Sequence, residues 1–432
     1  MSLLSILTNM ETFGLLRRGR LIYSALTGRS RVLSDEFELS LLDECQTHYG
    51  DYSRDREKVV NTRTKLLRES LAFHLKNNAA YARYAASMGV HDDSVPISQI
   101  PLIPSSLFKR TDVSLASIPE REVEKFCTSS GTSGSISVVP RDEPTLLRFL
   151  GSISSSISDL FGIERAGNYR AIVLGPTADQ AGDLWFSYVC SSLSIMLCTE
   201  YFEHDGVFQA TQAARRVLEL LNQENDVIVL GPPALMLEMA EEYYNLHSTA
   251  PSFPAKSFLV TAGGWKGRQA ENIAPVDFRS KVQHLMNVVH PSQIRDSYNM
   301  VELNSVLHEC EEHEKHVPPW LMVQARDPKL GTPLQNSDVV GILAFLDPSA
   351  TSYPGFILSD DFGTVEESPC PCGRVTERVR ISRRISRIEA RGCALKMSST
   401  EASKANSAGR DRIFTSIYRN PSGVSVPARE SS

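Results

Sequence analysis

Two stretches near the N-terminus repeat apolar side chains every three or four residues: LSDEFELSLLDECQTHY (33–49) and RTKLLRESLAFHLKNNAAYARYAASMG (63–89). That spacing gathers the apolar positions on one helical face and predicts a mostly helical region over residues 1–95, with a charged connector between the two stretches. The following segment, VPISQIPLIPSSLFKR (95–110), contains Pro96, Pro101 and Pro104. Fixed φ angles and missing amide donors predict an extended lead-in there.

The pattern then changes. YRAIVLGPT (169–177), DVIVLGPP (226–233) and KSFLVTAGG (256–264) are short β-branched runs that each end in a glycine-containing turn, while QAARRVLELLNQ and PALMLEMAEEYYNLH have helical spacing. Strands alternating with helices predict a layered α/β body over residues 96–382, whose ligands should meet loops beyond the C-terminal strand ends. DVVGILAFLDPSA and YPGFILSDDFGTVEE read as two further strands joined by a turn. Residues 398–432 are polar and rich in small side chains, which predicts a poorly ordered tail.

Composition mainly excludes. Of 432 residues, 41% are hydrophobic and 22% charged, enough for a full core and roughly two to three domain-sized units. A formal net charge of −6 provides no global basic field, so nucleic acid is not an expected partner. The N-terminus lacks the order of a secretory signal, and no run approaches the roughly 20 apolar residues of a membrane span; a cytoplasmic location is expected. Eight cysteines are too sparse for a disulfide scaffold and leave thiols for packing, metal or chemistry.

The most concentrated chemistry lies in KFCTSSGTSGSISVV (125–139). A strand ending at Cys127 leads into Thr128, Ser129, Ser130, Gly131, Thr132, Ser133 and Gly134. Hydroxyls and close-approaching backbone amides in such a loop can cradle phosphate oxygens. The Gly-Lys-Ser/Thr ending of a Walker loop is missing, which disfavours a simple nucleoside triphosphatase.

With that loop, the chain resembles the adenylate-forming superfamily and, within it, the acyl-protein synthetases of bacterial luminescence systems, with phenylacetate-CoA ligases more distant. The likeness runs from IPSSLFK to RGCALK, and Thr128 to Gly134 match the family's Ser/Thr-Ser-Gly-Thr-Ser/Thr-Gly phosphate loop. It implies a layered adenylate-forming large domain with a short or truncated C-terminal region, and ATP and Mg2+ as cofactors. RDSYNMVELN (295–304) resembles the family's Tyr-Gly-x-Thr-Glu segment, which implies Tyr298 beside adenine and Glu302 as the Mg2+ ligand. A carboxylate suits that hard cation. Asn299 and Val301 depart from the pattern. VTAGGWKG (260–267) implies Gly263 and Gly264 along adenine, with Trp265 either lining an acyl pocket or packing in the core. FILSDDFGTV (356–365) resembles the family's Thr-Gly-Asp segment and implies Asp361 as acceptor for the ribose hydroxyls, with Asp360 the alternative.

The stretch RRISRIEARGCALKM (383–397) resembles the family's interdomain hinge, with either Arg383 or Arg384 as the hinge arginine. The residues beyond it are too few for the family's usual C-terminal lid. Lys396 is then the nearest candidate for the catalytic lysine, and Arg141 a candidate substitute for the lysine that often follows the phosphate loop. The resemblance makes Cys393 the acceptor of the acyl group as a thioester, and the neighbouring Arg383, Arg384, Arg387, Arg391 and Lys396 favour its thiolate.

Cys370 and Cys372 form a Cys-x-Cys pair, which is weak evidence alone. Cys310 and His316 upstream complete a tetrahedral set like that of related ligases, implying a structural Zn2+; His308 and His313 are the rival ligands. Together these features imply ATP-dependent activation of a carboxylic acid as acyl-adenylate, transfer to Cys393, and onward transfer to a reductase or carrier protein. The alternatives are direct transfer to coenzyme A or a carrier protein, or a degenerate nucleotide-binding partner. The resemblance favours a fatty acid, and GDLWFSYVCSSLSIMLC (182–198) supplies apolar surface suited to one.

Overall fold

The computed structural model describes residues 36–47, 49–130, 136–163, 169–177, 180, 182–195, 197–246, 252–265 and 273–384. The helical periodicity near the N-terminus becomes α1 (Glu36–Thr47), the single turn α2 (Tyr49–Tyr52), α3 (Arg56–Asn77) and α4 (Ala79–Ser87). Asp55 and Asn78 start α3 and α4 by accepting from the amides of Lys58 and Tyr81, which satisfies donors that a helix N-terminus otherwise leaves bare. The proline-rich lead-in forms no α-helix but is extended only in part: the 3-10 turns Ile97–Gln99 and Ser105–Lys109 flank β1 (Ile103–Pro104), which pairs parallel with the later strand at Ile357 and Leu358.

A hairpin of β2 (Lys125–Thr128) and β3 (Val138–Arg141) carries the hydroxyl- and glycine-rich loop at its tip. Next comes α5 (Glu143–Phe161), capped by Asp142 at its start and by Gly162 in the left-handed conformation, φ 64°, at its end. The alternating body supplies β4 (Tyr169–Val173), α6 (Trp185–Ser192), β5 (Cys198–Tyr201), the small hairpin β6 (Glu203–His204) and β7 (Val207–Phe208), and α7 (Ala210–Asn222). It continues through β8 (Asp226–Gly231), α8 (Pro233–Leu246), β9 (Phe258–Ala262), α9 (Pro275–Leu285), β10 (Ile294–Tyr298) and β11 (Leu307–His308).

Strands β5-β4-β8-β9-β10 form a parallel sheet in that order, and β11 adds an antiparallel edge. Side chains alternate across it as strand geometry requires. Ile228, Phe258 and Val260 join the core under α5, while Val227, Val229 and Leu259 join the core under α7, α8 and α9. The first core also takes Leu41, Leu66, Leu67 and Leu71 of the N-terminal helices, so those helices and α5 bury one continuous apolar surface.

The second sheet contains β12 (Lys315–His316), β13 (Met322–Arg326), β14 (Gly341–Leu346), β15 (Phe356–Glu366) and β16 (Arg378–Arg384) in the order β12-β16-β15-β14-β13. Buried Arg63 of α3 grips Glu377 with two hydrogen bonds, 2.6 and 2.8 Å, tying this sheet to the N-terminal helices. No described helix is long and apolar enough to cross a membrane. Residues 385–432, with Cys393, Lys396, most of the hinge-like segment and the polar tail, lie outside the described residues.

Candidate active site

Beyond the C-terminal ends of β8, β9 and β10, where β15 of the second sheet crosses, lies a cavity of about 550 Å³. Its rim gathers residues from four separate segments: Thr128, Ser129 and Ser130 at the end of β2, Gly263 and Gly264 after β9, Tyr298 to Glu302 from the end of β10, and Asp361 of β15. Gly263 and Gly264 have φ of 83° and 65°, so two successive left-handed residues turn the chain here, a conformation that side chains with a Cβ resist. Thr128 donates its amide to the Asp183 carbonyl at 2.7 Å, and Ser129 and Ser137 close the base of the loop through Ser137 N–H to Ser129 Oγ, 2.9 Å. Gly131, Thr132, Ser133 and Gly134 lie outside the described residues.

The Tyr298 hydroxyl donates to Asp361 Oδ2 at 2.7 Å, and its ring stacks on Phe345 with centroids 5.8 Å apart. Asp360, the alternative carboxylate, is directed elsewhere and meets Lys109 Nζ at 3.4 Å. In the β15–β16 register Arg384 stands opposite Asp361 and Arg383 opposite Phe362.

Glu302 is buried and lines the cavity on a turn held from below. The holding group is Arg141, whose guanidinium donates to the carbonyls of Val301 at 2.6 Å and Leu303 at 3.4 Å, to Asn304 Oδ1 at 3.2 Å and to the Tyr353 hydroxyl at 3.1 Å. It also lies 3.8 Å from the centre of the Trp185 ring, a close cation–π arrangement. This corrects the expectation that Arg141 substitutes for a phosphate-binding lysine: the side chain is fully buried and does not line the cavity, its Nε and Nη2 are engaged by the Glu302 turn and Tyr353, and its Nη1 is buried without a partner among the described residues. Asn299, a departure from the family pattern, has a local use. It accepts from Trp185 Nε1 and donates to the carbonyls of Leu303 and Ser305, at 3.1 and 2.8 Å.

From this polar rim the cavity continues as an apolar channel between the sheet and helices α5 and α6. Ile153, Ile157, Phe161, Phe186, Val189, Leu193, Ile228 and Val260 line it. The 182–198 stretch therefore contributes channel wall, while Trp265 lines the cavity and also packs edge-on against Phe278 at 6.1 Å. His308 borders the cavity with Nδ1 hydrogen-bonded to Ser297 Oγ at 2.7 Å and Nε2 buried without a partner. Burial, reinforced by the Arg295 charge, lowers its pKa to about 4. The α5 side of the channel and Lys109 were not singled out in the sequence: an apolar helix face reads as core until a gap beside it is seen, and a single lysine carries no periodic signal.

A second cluster sits at the sheet edges. Cys310, His316, Cys370 and Cys372 present ligand atoms all within 4.8 Å of one another. Cys310 Sγ and Cys370 Sγ are 3.8 Å apart, and Cys372 Sγ is 3.3 Å from His316 Nε2. A tetrahedral ion with metal–sulfur bonds of about 2.3 Å separates its sulfurs by about 3.8 Å, so the donor set and spacing fit zinc. Thr376 Oγ1, 3.0 Å from His316 Nδ1, orients the ring from behind. Burial pushes the Cys310 thiol up to about 12, a cost that a bound cation removes by stabilising thiolate. The rivals His308 and His313 are not part of this cluster: His308 Nδ1 bonds Ser297 Oγ, and His313 Nδ1 lies 3.6 Å from Glu309.

Compared with known proteins, residues 41–401 match the family described as acyl-protein synthetase, LuxE. The long-chain-fatty-acid–luciferin-component ligase of Aliivibrio fischeri is 32% identical over 354 residues, 80% of this chain and 90% of that protein. The ligase of the same name from Vibrio harveyi is 31% identical over 364 residues, 82% of this chain and 91% of that protein. Among solved structures, the amide bond synthetase McbA from Marinactinospora thermotolerans superimposes with a TM-score of 0.42 at 17% identity over 63% of this chain. This chain spans about half of that synthetase's length, 53%.

Proposed function

The chain belongs to the LuxE family of acyl-protein synthetases and is an acyl-activating ligase, and from that premise we propose that it converts a long-chain fatty acid and ATP to an acyl-adenylate and transfers the acyl group to Cys393. The observation that carries the reading is the single cavity in which a hydroxyl-rich rim, Glu302 and Asp361 open directly into an apolar channel. A nucleotide on the rim and an aliphatic chain in the channel would bring a carboxylate to the α-phosphate.

In the first step a carboxylate oxygen forms a bond to the α-phosphorus as the bond to the β-phosphate oxygen breaks and pyrophosphate leaves. Hydroxyls and amides of the 128–134 loop offset the charge on the phosphates. Glu302 would hold Mg2+, which neutralises triphosphate charge. Asp361 would accept from the ribose hydroxyls, with Tyr298, Gly263 and Gly264 along adenine and Arg383 or Arg384 at the hinge. In the second step the Cys393 thiolate attacks the acyl carbonyl carbon, the mixed anhydride breaks and AMP leaves. A reductase or carrier protein would take the acyl group from the thioester. Zinc held by Cys310, His316, Cys370 and Cys372 would brace the two sheets and take no part in the chemistry.

The test is intact-protein mass spectrometry after incubation with MgATP and a panel of fatty and aromatic acids, with Cys393→Ala as the comparison. A hydroxylamine-sensitive adduct confined to the native protein is the expected result. Acid-dependent pyrophosphate exchange without an adduct would instead point to direct transfer to coenzyme A or a carrier protein.

A further inference from the structure

Four cationic side chains among the described residues line the cavity: Lys109, Arg279, Arg295 and Lys315. Three are engaged on the β10–β11 side. Arg279 pairs with Glu309 at 3.6 Å, and Lys315 pairs with Asp296 and Glu309 at 2.9 and 3.0 Å. Arg295 donates to the carbonyls of Ser292, Leu160 and Glu309. Lys109 differs: its ammonium has three donors and, among the described residues, a single contact, to Asp360 at 3.4 Å, longer than a well-formed hydrogen bond.

Its backbone, in contrast, is firmly placed. The Ser105–Lys109 turn follows β1, which is paired to β15, and it packs against both β15 and β3. Phe108 is buried edge-on against Tyr353 at 5.6 Å, the same tyrosine that accepts from Arg141. Lys109 therefore stands between the strand leaving the hydroxyl-rich loop and the strand bearing Asp361, with 21% of its side chain exposed.

We propose that Lys109 is a catalytic residue of the adenylation step: its ammonium leaves Asp360 and donates hydrogen bonds to the α-phosphate and the attacking carboxylate. This rests on the adenylation reading above and supplies it with a cation from the described part of the chain, in place of Lys396. Lys109 stays protonated throughout. It forms no covalent bond and accepts no proton; it reduces the repulsion between two anions and stabilises charge on the pentacoordinate phosphorus. A pre-positioned donor with only a weak partner is suited to this, because little must be broken when substrate arrives.

The experiment is fatty-acid-dependent ATP–pyrophosphate exchange with the full chain, comparing native protein, Lys109→Met, Lys109→Arg and Lys396→Met. Loss of a donor aimed at developing charge predicts a fall of about 100-fold or more for Lys109→Met, with the unfolding midpoint unchanged. Lys109→Arg is expected to retain at least about a tenth of the native rate, because charge and donors persist. Exchange by Lys109→Met within about threefold of native, or a collapse in Lys109→Arg as deep as in Lys109→Met, overturns the proposal while leaving adenylation intact. If Lys109→Met fails to fold, Lys109→Gln takes its place under the same thresholds. Absence of exchange in the native protein with every acid defeats the adenylation reading itself, and the role of Lys109 with it.

Discussion

Tyr298 and Asp361, 63 positions apart in sequence, meet at 2.7 Å where the parallel sheet faces the second sheet. One ends β10 and the other lies within β15, so the contact couples the two layers at the mouth of the cavity. Hydrogen bonds to a charged group contribute about 1.5–3 kcal/mol. Tyr298→Phe is expected to raise the KM for ATP by about tenfold or more, since the carboxylate loses its fixed orientation. Steady-state kinetics at saturating fatty acid checks this, and an unchanged KM would remove Tyr298 from the nucleotide site.

Arg141 holds the Glu302 turn through buried carbonyls. Arg141→Ala leaves these acceptors unpaired at a cost of about 1–3 kcal/mol each. The expected outcome is a lower denaturant midpoint together with weaker Mg2+ dependence of pyrophosphate exchange. Loss of stability with an unaltered Mg2+ titration would mean that the turn keeps its shape without the arginine.

In the proposed reaction the apolar channel holds the acyl chain and limits its length. Val189→Trp should narrow it, lowering kcat/KM for a long-chain acid by about tenfold or more while sparing a short one, as each excluded CH2 forfeits about 0.8 kcal/mol. A uniform loss across chain lengths would place the acyl chain elsewhere.

The four-ligand cluster should carry one zinc per chain, measurable by elemental analysis of the purified protein. Chelation is expected to lower the unfolding midpoint, and Cys370→Ser to abolish metal content. Protein free of zinc but equally stable would reassign the cluster to packed thiols.

His308 predicts an acid-side loss of stability. Its folded pKa, about 4, lies below the ordinary 6.5. The neutral ring is therefore favoured in the folded state. Above pH 6.5 this contribution is fully present. As pH falls towards 4 the unfolded chain binds a proton that the folded chain refuses, and up to roughly 3 kcal/mol is lost. Denaturant unfolding between pH 4 and 7 should show a shallower slope for His308→Asn; an identical slope would contradict the assignment.

What was legible in the sequence was local. Helical spacing in 63–89, β-branched runs closed by glycine in 169–177 and 226–233, and the extended character of Pro101–Pro104 each depend on neighbours a few residues away. Cys370 and Cys372 announced themselves by spacing, and the motifs around Tyr298 and Asp361 by resemblance. The tertiary structure alone decided which groups meet. It sent Arg141 inward to carbonyls 160 residues away, paired Asp360 with Lys109, and opened a channel beside α5 whose apolar residues look like any core helix. Period and propensity report the preferences of the local chain, whereas a charge's partner and a gap in packing depend on elements brought together by long-range folding.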